Sequence, residues 1–220
     1  MSTGNGSSST KQAVLDRLAA EQAAWDALVA EVDPLWAVEP NAVGAWSFKD
    51  VVAHISGWRQ PFVNDAVAAA QGTRPPTLDW PFTREETEEQ TPEGEEKTQA
   101  VNDWLYEQNR HRTYDQVLAE AALQWTMLRT AVELMPDDLI ERRDAIGALG
   151  GESLAGAMLG PDAFGHFHEE HEPEIRQWLA TRRDSAPIDP EEPPTCANCG
   201  GVIAPEDFVC PHCGVSLVSG

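Results

Sequence analysis

Positive charge is what this chain has least of. Its 15 Lys+Arg stand against 37 Asp+Glu, a formal charge of −22 over 220 residues. Such a field repels phosphates, so nucleic acid is not an expected partner. Neither is an anionic membrane surface. Lysine is the scarcer of the two basic residues, with Lys11, Lys49 and Lys97 the only three. That balance fits a GC-rich coding bias or the hydrated surface of a halophilic protein, and the sequence does not separate the two. No apolar run approaches the roughly 18 residues of a membrane span. The opening MSTGNGSSST has neither the basic nor the apolar region of a secretory signal, so a cytoplasmic location is expected. No stretch reads as a convincing strand, and there is no internal repeat. Cysteine is confined to the last 25 residues, and five of the six histidines precede it. What remains is a 41% hydrophobic chain, enough for a core and long enough for one domain plus something small.

Helical spacing dominates the first 183 residues. Ser9 or Thr10 can cap a helix carrying Leu15, Leu18, Trp25, Leu28 and Val32, with Gln22 the polar residue on that stripe and Pro34 its end. Ser47 and Asp50 form a loose capping box before Val51, Ile55, Trp58 and Phe62, with a kink or a break expected near Gly57 and Pro61. Residues 72–97 read as a long loop in which seven glutamates gather after Arg84. A solvated segment is the ordinary reading of such a run and a lid the functional one. A short helix is expected over 98–110. Thr113 and Gln116 box the next, which carries Leu118, Ala121, Trp125, Leu128, Val132 and Met135. Gly160-Pro161 predicts the start of a last helix through Phe164, His168, His171, Ile175 and Trp178. Four main helices predict an all-α fold, an antiparallel four-helix bundle over residues 11–183 behind a flexible tail of residues 1–10. Residues 184–194 form a Pro-rich acidic linker, and 195–220 a second unit.

That second unit carries Cys196-x-x-Cys199 and, ten residues on, Cys210-x-x-Cys213, each pair followed by Gly. Two such knuckles close a tetrahedral four-sulfur site, which suits structural Zn²⁺. Disulfides are disfavoured in a cytoplasmic setting, and a redox CxxC needs only one pair. With four ligand positions filled, the zinc is expected to be non-catalytic. His212, inside the second knuckle, is the alternative ligand. The segment resembles short rubredoxin-like zinc ribbons. It has no Lys or Arg after Cys196, so protein contact or plain stabilisation is expected of it.

The histidines suggest a second site. His54 shares a face with Val51 and Trp58, and His168 and His171 share the last helix's apolar stripe. Three neutral imidazoles leave a fourth coordination position open, as catalytic metal sites do. Hydrogen-bonded core histidines are the plainer reading. His166 should face away on a regular helix, and His111, among arginines, should lie on the surface. Glu169 and Glu170 are candidate acceptors or bases, or simply a solvated face.

Three segments carry a family resemblance. Trp46-Ser-Phe-Lys-Asp-Val-Val-Ala-His54-Ile-Ser-Gly-Trp58 resembles the second-helix signature of the DinB-like superfamily. Val101-Asn-Asp-Trp-Leu-Tyr-Glu-Gln-Asn-Arg-His-Arg112 resembles the middle of its ClbS/DfsB branch, and His166-Phe-His-Glu-Glu-His171-Glu-Pro-Glu-Ile-Arg-Gln-Trp178 its last-helix signature. The resemblance implies a four-helix bundle, often a homodimer, with a divalent metal (Zn²⁺ or Ni²⁺) on His54, His168 and His171. The family commonly spaces the last two ligands as HxxxH. Here Phe167 stands four before His171, leaving His168 at three or His166 at five. Only the three-residue spacing stays on one α-helical face, so His168 is expected and His166 is the alternate. The resemblance further implies a metal-dependent enzyme acting on a small electrophile, by thiol transfer with a low-molecular-weight thiol or by hydrolytic detoxification. The nucleophile would be water or a thiol on the metal, Glu170 the candidate base, and Trp58 and the Trp80 loop the pocket wall. The alternative is a stress protein that sequesters a ligand or docks a protein partner through the ribbon.

Overall fold

Each long helix of the structure opens on a side chain that satisfies its first free amides. Ser47 accepts from the Asp50 amide while Asp50 accepts from the Ser47 amide, and Thr113 and Gln116 make the same reciprocal pair. The computed structural model describes residues 9–87, 91–161, 164–184, 195–196, 198–199, 201–204 and 209–216. The expected tail and linker therefore lie almost wholly outside the described residues. The fold is all-α, in the order α1 (Thr10–Ala30), α2 (Phe48–Gln71), α3 (Arg84–Thr87), α4 (Pro92–Asn109), α5 (Tyr114–Leu134), α6 (Asp137–Glu141), α7 (Leu154–Leu159) and α8 (Glu172–Asp184). A 3₁₀ turn at Gly147–Leu149 precedes α7, and a π turn at Phe167–His171 precedes α8. Among the described residues, extended pairing is limited to isolated bridges. No helix among them is long and apolar enough to cross a membrane.

The chain divides into two compact units, Met1–Leu179 and Ala180–Gly220. In the first, α2 and α5 pack most extensively, with α1 and α7 against each other and α4 against α2. Phe48 is fully buried at the centre of the core. Its ring stacks near Trp25 and Trp178, with centroids 6.5 and 6.3 Å away, and meets Tyr114 edge-on at 6.1 Å. The α5 stripe carries one buried amide, Gln124, whose Nε2 donates to the Ser56 carbonyl at 2.9 Å and to Gln60 Oε1 at 2.8 Å. Those bonds fix the register of α5 on α2.

Three expectations are corrected. Pro61 sits inside α2 without ending it. Its missing amide costs a hydrogen bond to the Gly57 carbonyl. However, Val51 and Val52 before it and Val63 and Ala66 after it are all buried in one core, and that packing holds the helix together. Gly57 also lets α4 approach, since a Cβ there would lie 2.4 Å from Leu105 Cδ2. Second, residues 72–97 are not all loop, because α4 begins at Pro92. Thr91 caps it by accepting from the Gly94 amide, proline suits its first position, and Glu93 and Glu95 face the positive end of its dipole. Third, Pro161 does not start the last helix. Phe164, at φ 62°, holds a turn there, and the π turn follows.

Candidate functional site

The π turn decides which histidines meet. In an α-helix, residues five apart point about 140° away from each other. Here the Glu172 amide bonds the Phe167 carbonyl, five residues back, and the wider turn brings His166 and His171 onto one side. Pro173, with no amide to donate backward, lies just behind it. Their Nε2 atoms are 3.1 Å apart. From α2, His54 joins them, with its ring centroid 5.1 Å from that of His171 and 5.9 Å from that of His166. One ligand nitrogen from each of the three lies within 4.8 Å of the others, so this trio could hold a metal ion.

His168 is not in this group. Its Nδ1 lies 2.6 Å from Glu172 Oε2 and its Nε2 2.8 Å from Glu21 Oε2. A carboxylate on each side requires both ring nitrogens to donate, which is the imidazolium form and has no lone pair for a metal. Partial burial lowers its pKa, but the two carboxylates outweigh that and raise it. The expected i, i+3 ligand pair assumed α-helical periodicity, and the π turn removes that premise.

The two buried members of the trio are built to stay neutral. His54 is buried, and among the described residues neither of its ring nitrogens has a hydrogen-bond partner. Burial, aided by the neighbouring His171 and His166, lowers its pKa to about 3. His171 is also buried, its Nδ1 is unpartnered, and burial followed by His166 lowers its pKa. Neutral imidazoles with open nitrogens are the form that binds metal. His166 is the exposed member, with Glu170 3.6 Å from its outer Nδ1. Glu170 therefore sits behind a member of the trio. Trp46 covers His54, with ring centroids 4.9 Å apart.

Beside the trio is a cavity of about 260 Å³ lined by His166, Trp25, Trp58, Trp125, Phe164 and Arg59, among others. Trp58 thus lines the site as expected, fixed by its Nε1 donating to Asn102 Oδ1 at 2.8 Å. Trp80 stacks edge-on against Trp58 but belongs to a separate groove with Pro61, Pro76 and Phe82. Two lining residues were not anticipated. Glu21, half-buried on α1 between Leu18 and Trp25 like its neighbour Gln22, is one of them. Arg59 follows Ile55 by four and precedes Phe62 by three, so an arginine interrupting an apolar stripe was the available signal.

In the second unit, Cys196, Cys199, Cys210 and Cys213 converge as free thiols in an arrangement compatible with a metal site. Cys196 and Cys213 Sγ are 3.8 Å apart, and Cys199 and Cys210 Sγ 3.7 Å. The Cys196 amide donates to the Gly201 carbonyl and the Cys210 amide to that of Val215, each at 2.8 Å, which closes the two knuckles. Gly214 takes φ 75°, where a side chain would be strained. Hydrogen bonds from the Asn198 amide and the Val215 backbone lower the Cys213 pKa to about 6. His212 Nε2 instead faces the Val202 carbonyl at 2.9 Å and is not part of the cysteine group.

Comparisons with protein-family models, with curated proteins and with solved structures find no match to this chain.

Proposed function

We propose that the helical unit is a metal-dependent enzyme of the DinB-like, ClbS/DfsB type, acting on a small electrophile by thiol transfer or hydrolysis. One observation carries this reading: three histidines from two segments converge, two of them with nitrogens that lack a partner among the described residues, and the third, His166, lines an apolar cavity. The ligand set is His54, His166 and His171. Two nitrogens on one tetrahedral ion at about 2.0–2.1 Å would be about 3.3 Å apart, and the 3.1 Å between His166 and His171 is close to that. Zn²⁺ or Ni²⁺ held there would supply Lewis-acid activation of water or of a thiol. The chain's own residues shape the rest. Burial, to which Trp46 contributes, keeps His54 neutral, Glu170 lies 3.6 Å from the outer Nδ1 of His166, and the aromatic wall excludes water from an apolar substrate. The bundle assignment is supported by α1, α2, α5 and α8 burying their apolar faces in one common core.

The cysteine unit is read as a structural zinc ribbon. Sulfurs on a tetrahedral Zn²⁺ with bonds of about 2.3 Å are about 3.8 Å apart, which matches both measured separations. Metal analysis tests both assignments. The intact chain should carry two ions, one of them lost in His54→Ala. A single ion, indifferent to that change, would overturn the histidine site. Turnover of a small epoxide or cyclopropane, with and without added thiol, should disappear in His54→Ala and His171→Ala. Protection that follows protein stoichiometry without turnover would replace the enzyme by a sequestering protein.

A further inference from the structure

Arg59 is a cation with no counter-ion among the described residues. Its Nε and Nη1 are closed off from solvent, and no described residue offers either of them an acceptor. Leaving such donors unsatisfied in an apolar setting is costly. Among the described residues the guanidinium is compensated by the face of Trp125, whose ring centroid lies 4.5 Å from the guanidinium carbon. Burial lowers the Arg59 pKa to about 10, so it is still charged near neutral pH. This guanidinium lines the same cavity as His166, among Trp25, Ile55, Phe62, Trp125 and Met158.

We propose that this cavity takes a small organic monocarboxylate with an aromatic or branched apolar body, and that Arg59 receives the carboxylate. A guanidinium is a permanently charged donor that meets a carboxylate in charge-assisted hydrogen bonds, and Arg59 brings one to the cavity wall. A single arginine balances one negative charge, so a phosphate dianion would bring an uncompensated charge into an apolar wall. Glu21 is the acid in the lining, but it is already engaged by Arg17 at 2.8 Å and His168 at 2.8 Å, which leaves Arg59 as the open charge. The chain's −22 charge recruits no anions, so selectivity must come from this one contact. With the carboxylate at Arg59, the apolar body packs against the aromatic wall of the cavity that His166 also lines. This inference names the substrate class of the proposed enzyme. It rests on the reading of the cavity as the substrate pocket and not on the metal.

The test is a titration of the intact chain with phenylacetate, 3-phenylpropionate and 3-methylbutyrate, each beside its primary amide. Tryptophan fluorescence is the readout, since Trp25, Trp58 and Trp125 line the cavity. At least one acid should bind about 10- to 100-fold tighter than its amide. Arg59→Met should abolish that preference. Because it removes an unpaired buried charge, its thermal unfolding midpoint without ligand should not fall. Arg59→Lys should retain part of the preference. The same titrations on His54→Ala, with metal content measured in parallel, separate the two readings. Acid preference that persists where the histidine metal is lost supports Arg59 on its own. A preference that survives Arg59→Met but vanishes in His54→Ala would assign the carboxylate to the metal and overturn the proposal. Equal binding of acids and amides to the unaltered chain, or binding of none, would overturn it as well, whatever the variants do.

Discussion

Replacing His166 and His168 one at a time separates a metal ligand from the group that holds its scaffold. His166 is exposed and lends its nitrogen to the trio, so His166→Ala should cost little stability, within about 0.5 kcal/mol. It should, however, weaken metal at the trio by more than the roughly 10- to 100-fold that loss of an outer partner costs. His168 should behave in the opposite way. Its two contacts to carboxylates, at 2.6 and 2.8 Å, tie α1 to the π turn and α8. Hydrogen bonds to charged groups contribute about 1.5–3 kcal/mol each when buried. This ring is partly exposed, and Glu21 and Glu172 keep Arg17 and Arg176 as partners when it is removed. A net loss of about 1–2 kcal/mol follows, or roughly 3–6 °C in the unfolding midpoint of a unit this size. All eight tryptophans precede residue 180, so tryptophan fluorescence in excess chelator reads the helical unit alone. Metal content is measured by mass spectrometry on the untreated proteins. Loss of one ion in His166→Ala and retention of two in a less stable His168→Ala is the expected pattern. The reverse, with His168→Ala losing the ion and His166→Ala keeping it, would refute the π-turn argument.

Other substitutions probe the core and the ribbon. Phe48→Ala empties the space between Trp25, Tyr114 and Trp178 and should destabilise the helical unit by about 3–5 kcal/mol in urea titration. A cost under about 1 kcal/mol would mean that the ring does not anchor the core. The buried Tyr114 hydroxyl has no partner among the described residues, so Tyr114→Phe should be neutral or stabilising by chemical denaturation. Burial, with Asp115 nearby, raises the Tyr114 pKa to about 12. The folded state then holds a proton that the unfolded chain releases above about 10. The unaltered chain should therefore lose stability between roughly pH 10 and 12, by up to about 2–3 kcal/mol more than Tyr114→Phe does. Equal alkaline profiles for the two proteins would contradict it. Cys196→Ser should remove one metal ion per chain and the amide-exchange protection of Cys210 and Gly214, and unchanged metal content would refute the ribbon.

Much of this protein is written in local sequence. The caps at Ser47 and Thr113, the apolar stripes of α1, α2 and α5, and the paired cysteines depend on residues a few positions apart, so helix boundaries and one metal-compatible cluster follow from spacing. The start of α4 was also local, in Thr91-Pro92, but the glutamate run around it hid a helix behind a charge pattern. What only the tertiary structure decided was the histidine set and the cavity beside it. Five-residue spacing between His166 and His171 becomes a shared face only when the backbone widens into a π turn, which here lies between the Phe164 turn and α8, with His168 held from α1. Arg59 and Glu21 gain meaning the same way. Each is an unremarked charge on a helical stripe until packing shuts one away without an acceptor and gives the other two cations, because burial and pairing belong to neighbours that are distant along the chain.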